Sequence, residues 1–89
     1  MPKFLAVHPV GTELTLEAGE PIAKAIKAGL NADAYWVSSV YAQEEGKLYC
    51  QWDAKDVESI QEVLKKTAPE FPTEGIYKIE MDLKSEDFR

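Results

Sequence analysis

Hydrophobic residues recur along the chain with two periods, and their succession predicts the order of the secondary structure. Continuous or alternating apolar runs predict four strands, at residues 2–10, 34–43, 47–52 and 76–83. Helical spacing predicts one helix from Pro21 to about residue 30, and a second from residues 53–56 to Pro69. The order βαββαβ predicts a ferredoxin-like α+β fold, with two helices on one face of a four-stranded antiparallel sheet. We expect residues 1–89 to form one such domain.

Individual residues indicate where turns and helix ends lie and which face of the second helix is buried. Glu44 to Gly46 resembles a short hairpin loop with Gly46 at a positive φ, and Gly29-Leu30-Asn31 is expected to end the first helix, with Gly or Asn able to take the left-handed conformation. Ile60 and Leu64 lie on the apolar stripe of the second helix, so both are expected to face the sheet.

The third strand carries large side chains on both faces. Leu48, Cys50 and Trp52 share one face, whereas Tyr49 and Gln51 share the other. Two helices can cover only one side of a sheet, and a domain of this size buries only about 60–65% of its unfolded surface. A second copy of the chain is therefore the expected cover for the other face, which predicts a homodimer.

The net charge and the cysteine content limit the possible binding partners and the cellular compartment of the protein. The formal net charge is −6, with 16 acidic and 10 basic residues, and this surface repels nucleic acid and anionic membranes. A single cysteine permits no intramolecular disulfide, and the N-terminal apolar run is too short for a secretory segment. We therefore expect a cytoplasmic protein with neither nucleic-acid nor membrane partners.

Two side chains could carry chemistry. His8 is the only imidazole, so it is the candidate metal ligand or general base, although a strand-end histidine can also serve only in hydrogen bonding. Cys50 could be a ligand or nucleophile, but its mid-strand position favours a buried, inert thiol. The two would lie close together if the first and third strands are neighbours.

Aromatic residues on the strands could line a ligand pocket, or could fill the core or a subunit interface. The pocket candidates, with His8 and Cys50, are Tyr35, Trp36 and Trp52, and further aromatic residues are Tyr41, Tyr49 and Tyr77. No dinucleotide, P-loop, CxxC or HExxH motif is present, so no cofactor is predicted.

Several short motifs resemble those of a small bacterial ferredoxin-like family of unknown function, some of whose members are described as nickel-binding. The motifs are Phe4-Leu5-Ala6-Val7-His8, Tyr35-Trp36, Glu45-Gly46-Lys47, Leu48-Tyr49-Cys50 and Ala54-Lys55-Asp56. The resemblance implies pairing through the sheets as a dimeric α+β barrel. It matches His8 to a family histidine, but Leu64 and Ala68 stand where relatives carry two histidines on the second helix.

Three functions remain open from the sequence. The first is a homodimeric binding protein that holds a small molecule or a metal ion between sheet and helices. The alternative is a cofactor-independent enzyme of the dimeric α+β barrel type, similar to a monooxygenase or an isomerase, and the third is a structural module. A closed apolar cavity reached by His8 or Tyr35 would favour an enzyme, whereas a shallow cluster of His8 with carboxylates would favour a metal site.

Overall fold

The computed structural model describes residues 1–88, which form four strands, two α-helices and a short 3₁₀-helix near the end. In chain order these are β1 (Lys3–His8), α1 (Leu16–Ala28), β2 (Ala34–Ala42), β3 (Lys47–Ala54), α2 (Val57–Thr67), β4 (Gly75–Ile79) and η1 (Ser85–Asp87). The strands form one antiparallel sheet in the order β2-β3-β1-β4. The predicted ferredoxin-like fold is confirmed.

Strand register decides which side chains meet the helices. β1 and β3 are the central strands, and their register pairs Phe4 with Trp52 and Ala6 with Cys50. Because facing residues of paired strands share a side, these four residues lie together under the helices. The buried core consists of Phe4, Ala6, Ile26, Ala34, Cys50, Trp52, Ala54, Ile60, Val63 and Leu64.

Helix α2 begins where its cap predicts. The Asp56 carboxylate accepts hydrogen bonds from the Ser59 backbone N–H at 2.8 Å and from the Ser59 hydroxyl at 2.7 Å, which satisfies a free donor of the first turn. Ile60, Val63 and Leu64 are buried. The predicted sheet-facing stripe of this helix is therefore confirmed.

Helix α1 begins at Leu16, so the prediction of a start at Pro21 was wrong by more than one turn. Thr15 is the reason, because its hydroxyl accepts a hydrogen bond from the Ala18 backbone N–H at 3.1 Å and caps the helix. Pro21 then falls inside the helix, where its missing N–H removes one intrahelical bond. In residues 1–88, neither helix combines the length and the apolar character that a membrane span requires.

The glycines of the β2–β3 turn and of the end of α1 differ in backbone conformation. Gly46 has φ +74° in the β2–β3 turn, as predicted. Gly29 ends α1 with φ −96°, and no described residue other than glycine has a positive φ, so neither Gly29 nor Asn31 takes the left-handed conformation. What requires glycine at position 29 is space, because the methyl group of Thr67 on α2 occupies the place that a Cβ would take. Gly29 thus allows the C-terminal ends of the two helices to approach each other.

Strand β4 ends at Ile79 rather than at Leu83, the predicted end. Among the described residues 1–88 its one neighbouring strand is β1, which begins at Lys3, and Lys3 pairs with Ile79. Residues 80–88 lie past the end of β1 and have no strand to pair with, so the alternating pattern up to Leu83 continues without strand pairing. Met81 and Leu83 are consequently exposed, at 72% and 69%.

The sheet face opposite the helices is uncovered in this single chain. Its exposed residues include Tyr35, Val40 and Tyr77, at 46%, 66% and 55%. This is the face for which the sequence predicts cover from a second copy.

Candidate ligand-binding cavity

A cavity of about 490 Å³ lies between α1 and the helix-facing side of β2 and β3. Its walls are largely apolar. The lining residues are His8, Leu14, Thr15, Leu16, Gly19, Glu20, Ile22, Ala23, Ile26, Trp36, Ser39, Tyr41, Leu48, Cys50, Trp52, Leu64 and Phe71. This volume falls within the range of roughly 300–1,000 Å³ that is usual for small-molecule sites.

The sequence of α1 explains why the space is left open. Ile26, in the second half of the helix, is its only buried residue. One turn earlier the cavity wall is formed by Ala23, which carries only a methyl group, and two turns earlier by Gly19, which has no side chain, so neither fills the space above the sheet. A Cβ placed on Gly19 would approach only the side chain of Leu14, at 3.9 Å.

His8 ends β1 at the cavity wall and is fully buried. Its Nδ1 lies 3.0 Å from the Pro72 carbonyl oxygen and 3.1 Å from the Thr73 hydroxyl. The Phe71 ring stacks on the imidazole, with 4.4 Å between ring centroids. Because a carbonyl can only accept, we assign the ring hydrogen to Nδ1, donating to Pro72. The lone pair of the neutral ring is then on Nε2.

Burial lowers the pKa of His8 below 6.5, although the hydrogen bond to Pro72 partly opposes this shift. The ring is therefore neutral near pH 7. Within residues 1–88, His8 Nε2 and Trp52 Nε1 are the buried side-chain nitrogens that lack a hydrogen-bond partner. Both residues line the cavity, and these two nitrogens, one acceptor and one donor, are themselves buried without accessible surface. Buried polar atoms without partners are unusual in a folded core and invite a ligand or a water molecule.

Another polar chain on the wall is satisfied internally. The Trp36 indole N–H donates to the Ser39 hydroxyl at 2.8 Å, and that hydroxyl donates to Cys50 Sγ, also at 2.8 Å. Burial raises the pKa of the Cys50 thiol to about 11, against a smaller lowering by the Ser39 hydrogen bond. The thiol is thus protonated at neutral pH, which makes it a poor nucleophile and a poor metal ligand.

Four of the five residues singled out from the sequence line this cavity. They are His8, Trp36, Cys50 and Trp52. Tyr35 lies outside it, where its hydroxyl accepts a hydrogen bond from Lys27 Nζ at 3.1 Å.

Sequence reasoning did not find the role of Ser39, because strict alternation from Trp36 assigns Ser39 to the other side of the sheet. A bulge between Trp36 and Ser38 shifts the register, so that Ser39 pairs with Cys50 and joins the cavity wall. Gly19 and Ala23 were also missed, and small residues four apart were the available signal.

Nickel, the metal that the resemblance implies, does not fit the residues of this subunit. No group of three or more His, Cys, Asp or Glu side chains in residues 1–88 is placed to hold a metal ion. His8 Nε2 offers one nitrogen ligand, the nearby thiol is protonated, and Leu64 presents no donor atom. Stable sites for nickel generally use several such ligands.

Fold and site together define a ferredoxin-like α+β domain with an apolar cavity between helices and sheet. The family model described as nickel responsive protein SCO4226-like matches residues 4–79, and the chain belongs to this family. The crystal structure of SCO4226 from Streptomyces coelicolor A3(2) is similar in fold, with a TM-score of 0.79 at 16% sequence identity. The match covers 91% of this chain and 99% of that chain. A comparison with curated proteins gives no match.

Proposed function

We propose that this protein is a cytoplasmic binding protein that holds an apolar small molecule in the cavity between α1 and the sheet. The observation that carries the proposal is a largely apolar cavity of about 490 Å³ lined by His8, whose buried Nε2 has no hydrogen-bond partner. Apolar walls with a few placed polar atoms are typical of small-molecule sites. Of the two ligand classes considered from the sequence, the cavity favours a small molecule over a metal ion.

The experiment that tests binding is an NMR titration with 2-methoxynaphthalene, a neutral apolar probe. The Trp36 and Trp52 indole N–H signals report locally, because both side chains line the cavity. We expect these two signals to shift with a common saturation curve. Native mass spectrometry of the purified protein asks in addition whether a natural ligand is retained.

A matched pair of variants on α1 makes the test specific. Ala23→Leu introduces three carbon atoms into the cavity, and we expect it to weaken probe binding at least tenfold. Ala28→Leu makes the same change at an exposed position of the helix that does not line the cavity, and it should leave binding unchanged. If neither indole signal moves in the parent protein, or if both variants weaken binding equally, the cavity is not the binding site.

We also propose that the chain is a homodimer joined through the open sheet face. The support is the exposure of Tyr35, Val40 and Tyr77 on that face. Tyrosines are common at subunit interfaces, because they bury apolar surface and keep a polar group.

A cofactor-independent enzyme is the second candidate, and the neutral His8 ring is what favours it. An unpartnered lone pair at Nε2 in an apolar cavity could remove a proton from a bound substrate. The binding protein and the enzyme can be distinguished by mass spectrometry of a retained natural ligand. The ligand is recovered after incubation of the protein in air and under argon. A binding protein returns the ligand unchanged, whereas an oxygenase returns a heavier product in air only, and an isomerase returns an altered spectrum at equal mass.

A further inference from the structure

The unpartnered atoms of the cavity wall specify more than an apolar occupant. His8 Nε2 can only accept a hydrogen bond while the ring is neutral and Nδ1 donates to Pro72. A ligand that matches this atom must therefore bring an O–H or N–H donor. A carbonyl, ether or ester group alone would leave Nε2 unsatisfied.

The charges around the cavity select a neutral ligand. No lysine or arginine is among the residues of the described chain that line it, and the only formally charged lining residue is Glu20. Glu20 is exposed and forms an ion pair with Lys24 at 3.4 Å. An anionic ligand would lose its hydration without gaining a cation in return, which is costly in an apolar site.

The shape of the wall favours a planar ring. Besides His8, the cavity is lined by four aromatic residues, which are Trp36, Tyr41, Trp52 and Phe71. The Tyr41 hydroxyl is already engaged, since it donates to the Gly11 carbonyl at 2.6 Å. Apart from the unpartnered Trp52 Nε1, these residues consequently offer mainly ring faces and edges, against which planar aromatic molecules pack well.

We propose that the cavity binds a neutral aromatic hydroxy compound, a phenol in the broad sense, whose hydroxyl donates a hydrogen bond to His8 Nε2. This inference rests on the proposed binding function and names the ligand class for the same cavity. Nε2 is closed to water in this structure, so the proposal includes a shift of neighbouring side chains that brings the hydroxyl into contact with it.

Three probes with the same ring system test the inference by NMR titration of the full chain. 2-Naphthol has a hydroxyl donor, 2-methoxynaphthalene replaces the donor with an ether, and 2-naphthoate carries a negative charge. Because the hydroxyl of 2-naphthol would satisfy an acceptor that the ether leaves unsatisfied, we expect 2-naphthol to bind roughly three- to tenfold more tightly than the ether. 2-Naphthoate should bind more weakly than either.

The matched variant is His8→Asn. The amide nitrogen of asparagine can occupy nearly the position of Nδ1 and keep the bond to the Pro72 carbonyl, while the Nε2 acceptor is lost. We expect 2-naphthol to bind this variant no more tightly than the ether. Should the variant not fold, the ¹⁵N chemical shift of Nε2 in the parent protein supplies the same information, because it moves when the lone pair accepts a hydrogen bond. It should move with 2-naphthol and not with the ether.

The possible results separate the two proposals. Equal affinities for 2-naphthol and the ether in the parent protein would overturn the phenol inference and leave cavity binding standing. A preference for 2-naphthol that persists in His8→Asn, or an unmoved Nε2 shift, would overturn the role of His8. Tightest binding of 2-naphthoate would overturn the neutral-ligand argument. Failure of all three probes to move the indole signals would contradict the proposed function itself.

Discussion

Truncation of Ile60 to alanine tests how helix α2 holds the sheet. Ile60 is fully buried, and it does not line the cavity, so its removal leaves a new enclosed void. The change deletes three carbon atoms, worth about 2.4 kcal/mol at about 0.8 kcal/mol per buried carbon. A residual void adds to this, and measured costs for such truncations are about 2–5 kcal/mol. We expect a loss of about 3–4 kcal/mol in the free energy of unfolding, within that range.

Urea unfolding, followed by tryptophan fluorescence, measures the loss from the midpoint at constant m-value. The series should be run at two protein concentrations, because dimerisation would make the apparent stability depend on concentration. Leu83→Ala is the control, since Leu83 is 69% exposed in the tail and its truncation should cost under about 0.5 kcal/mol. A loss below about 1 kcal/mol for Ile60→Ala, with an unchanged m-value, would refute the assigned packing.

Three further predictions concern pH, metal and assembly. Burial lowers the pKa of His8 in the folded state. Its contribution to the free energy of unfolding is therefore complete above pH 6.5 and is lost as the pH falls from 6.5 towards the lowered pKa. His8→Asn should flatten that part of the plot of stability against pH, and equal slopes for both proteins would show that His8 does not titrate as described. Titration calorimetry at neutral pH should show weak nickel binding or none, unchanged by His8→Ala, whereas tight binding abolished by this substitution would restore a metal site. Light scattering at micromolar concentration should give a dimer, and a folded monomer would defeat the interface, for which about 1,200–2,000 Å² of total burial is usual.

Periodicity predicted the fold well, because each element carries its own local signal. The sheet-facing stripe of α2 followed from spacing alone, and the βαββαβ order allowed the arrangement found in the structure, in which β1 and β3 are neighbours. The errors lie where another signal, local for α1 and distant for β4, overrides the pattern that was followed. The start of α1 depends on the Thr15 cap, and the end of β4 depends on where β1 begins at Lys3. Neither Pro21 nor the alternation through Leu83 carries that information.

The candidate site was predictable in its strand residues and not in its shape. His8, Cys50 and Trp52 share a face because register and alternation put them there. The cavity above them exists because α1 presents Gly19 and Ala23 to the sheet. Small residues such as these add nothing to the hydrophobic pattern of the sequence. A prediction based on that pattern therefore does not reveal the space that they leave.

The chemistry of His8 is set by the loop between α2 and β4, and this loop decides what the cavity can bind. Phe71 covers one face of the ring, and the Pro72 carbonyl holds the hydrogen on Nδ1. The Glu74 backbone N–H donates to the Val7 carbonyl at 2.8 Å, which fastens the loop to β1 beside the histidine. With the loop fastened in this way, the lone pair of the neutral ring lies on Nε2 of a residue that lines the cavity. A loop that offered a donor to Nδ1 instead would reverse the tautomer, and the same histidine would then select a ligand that accepts.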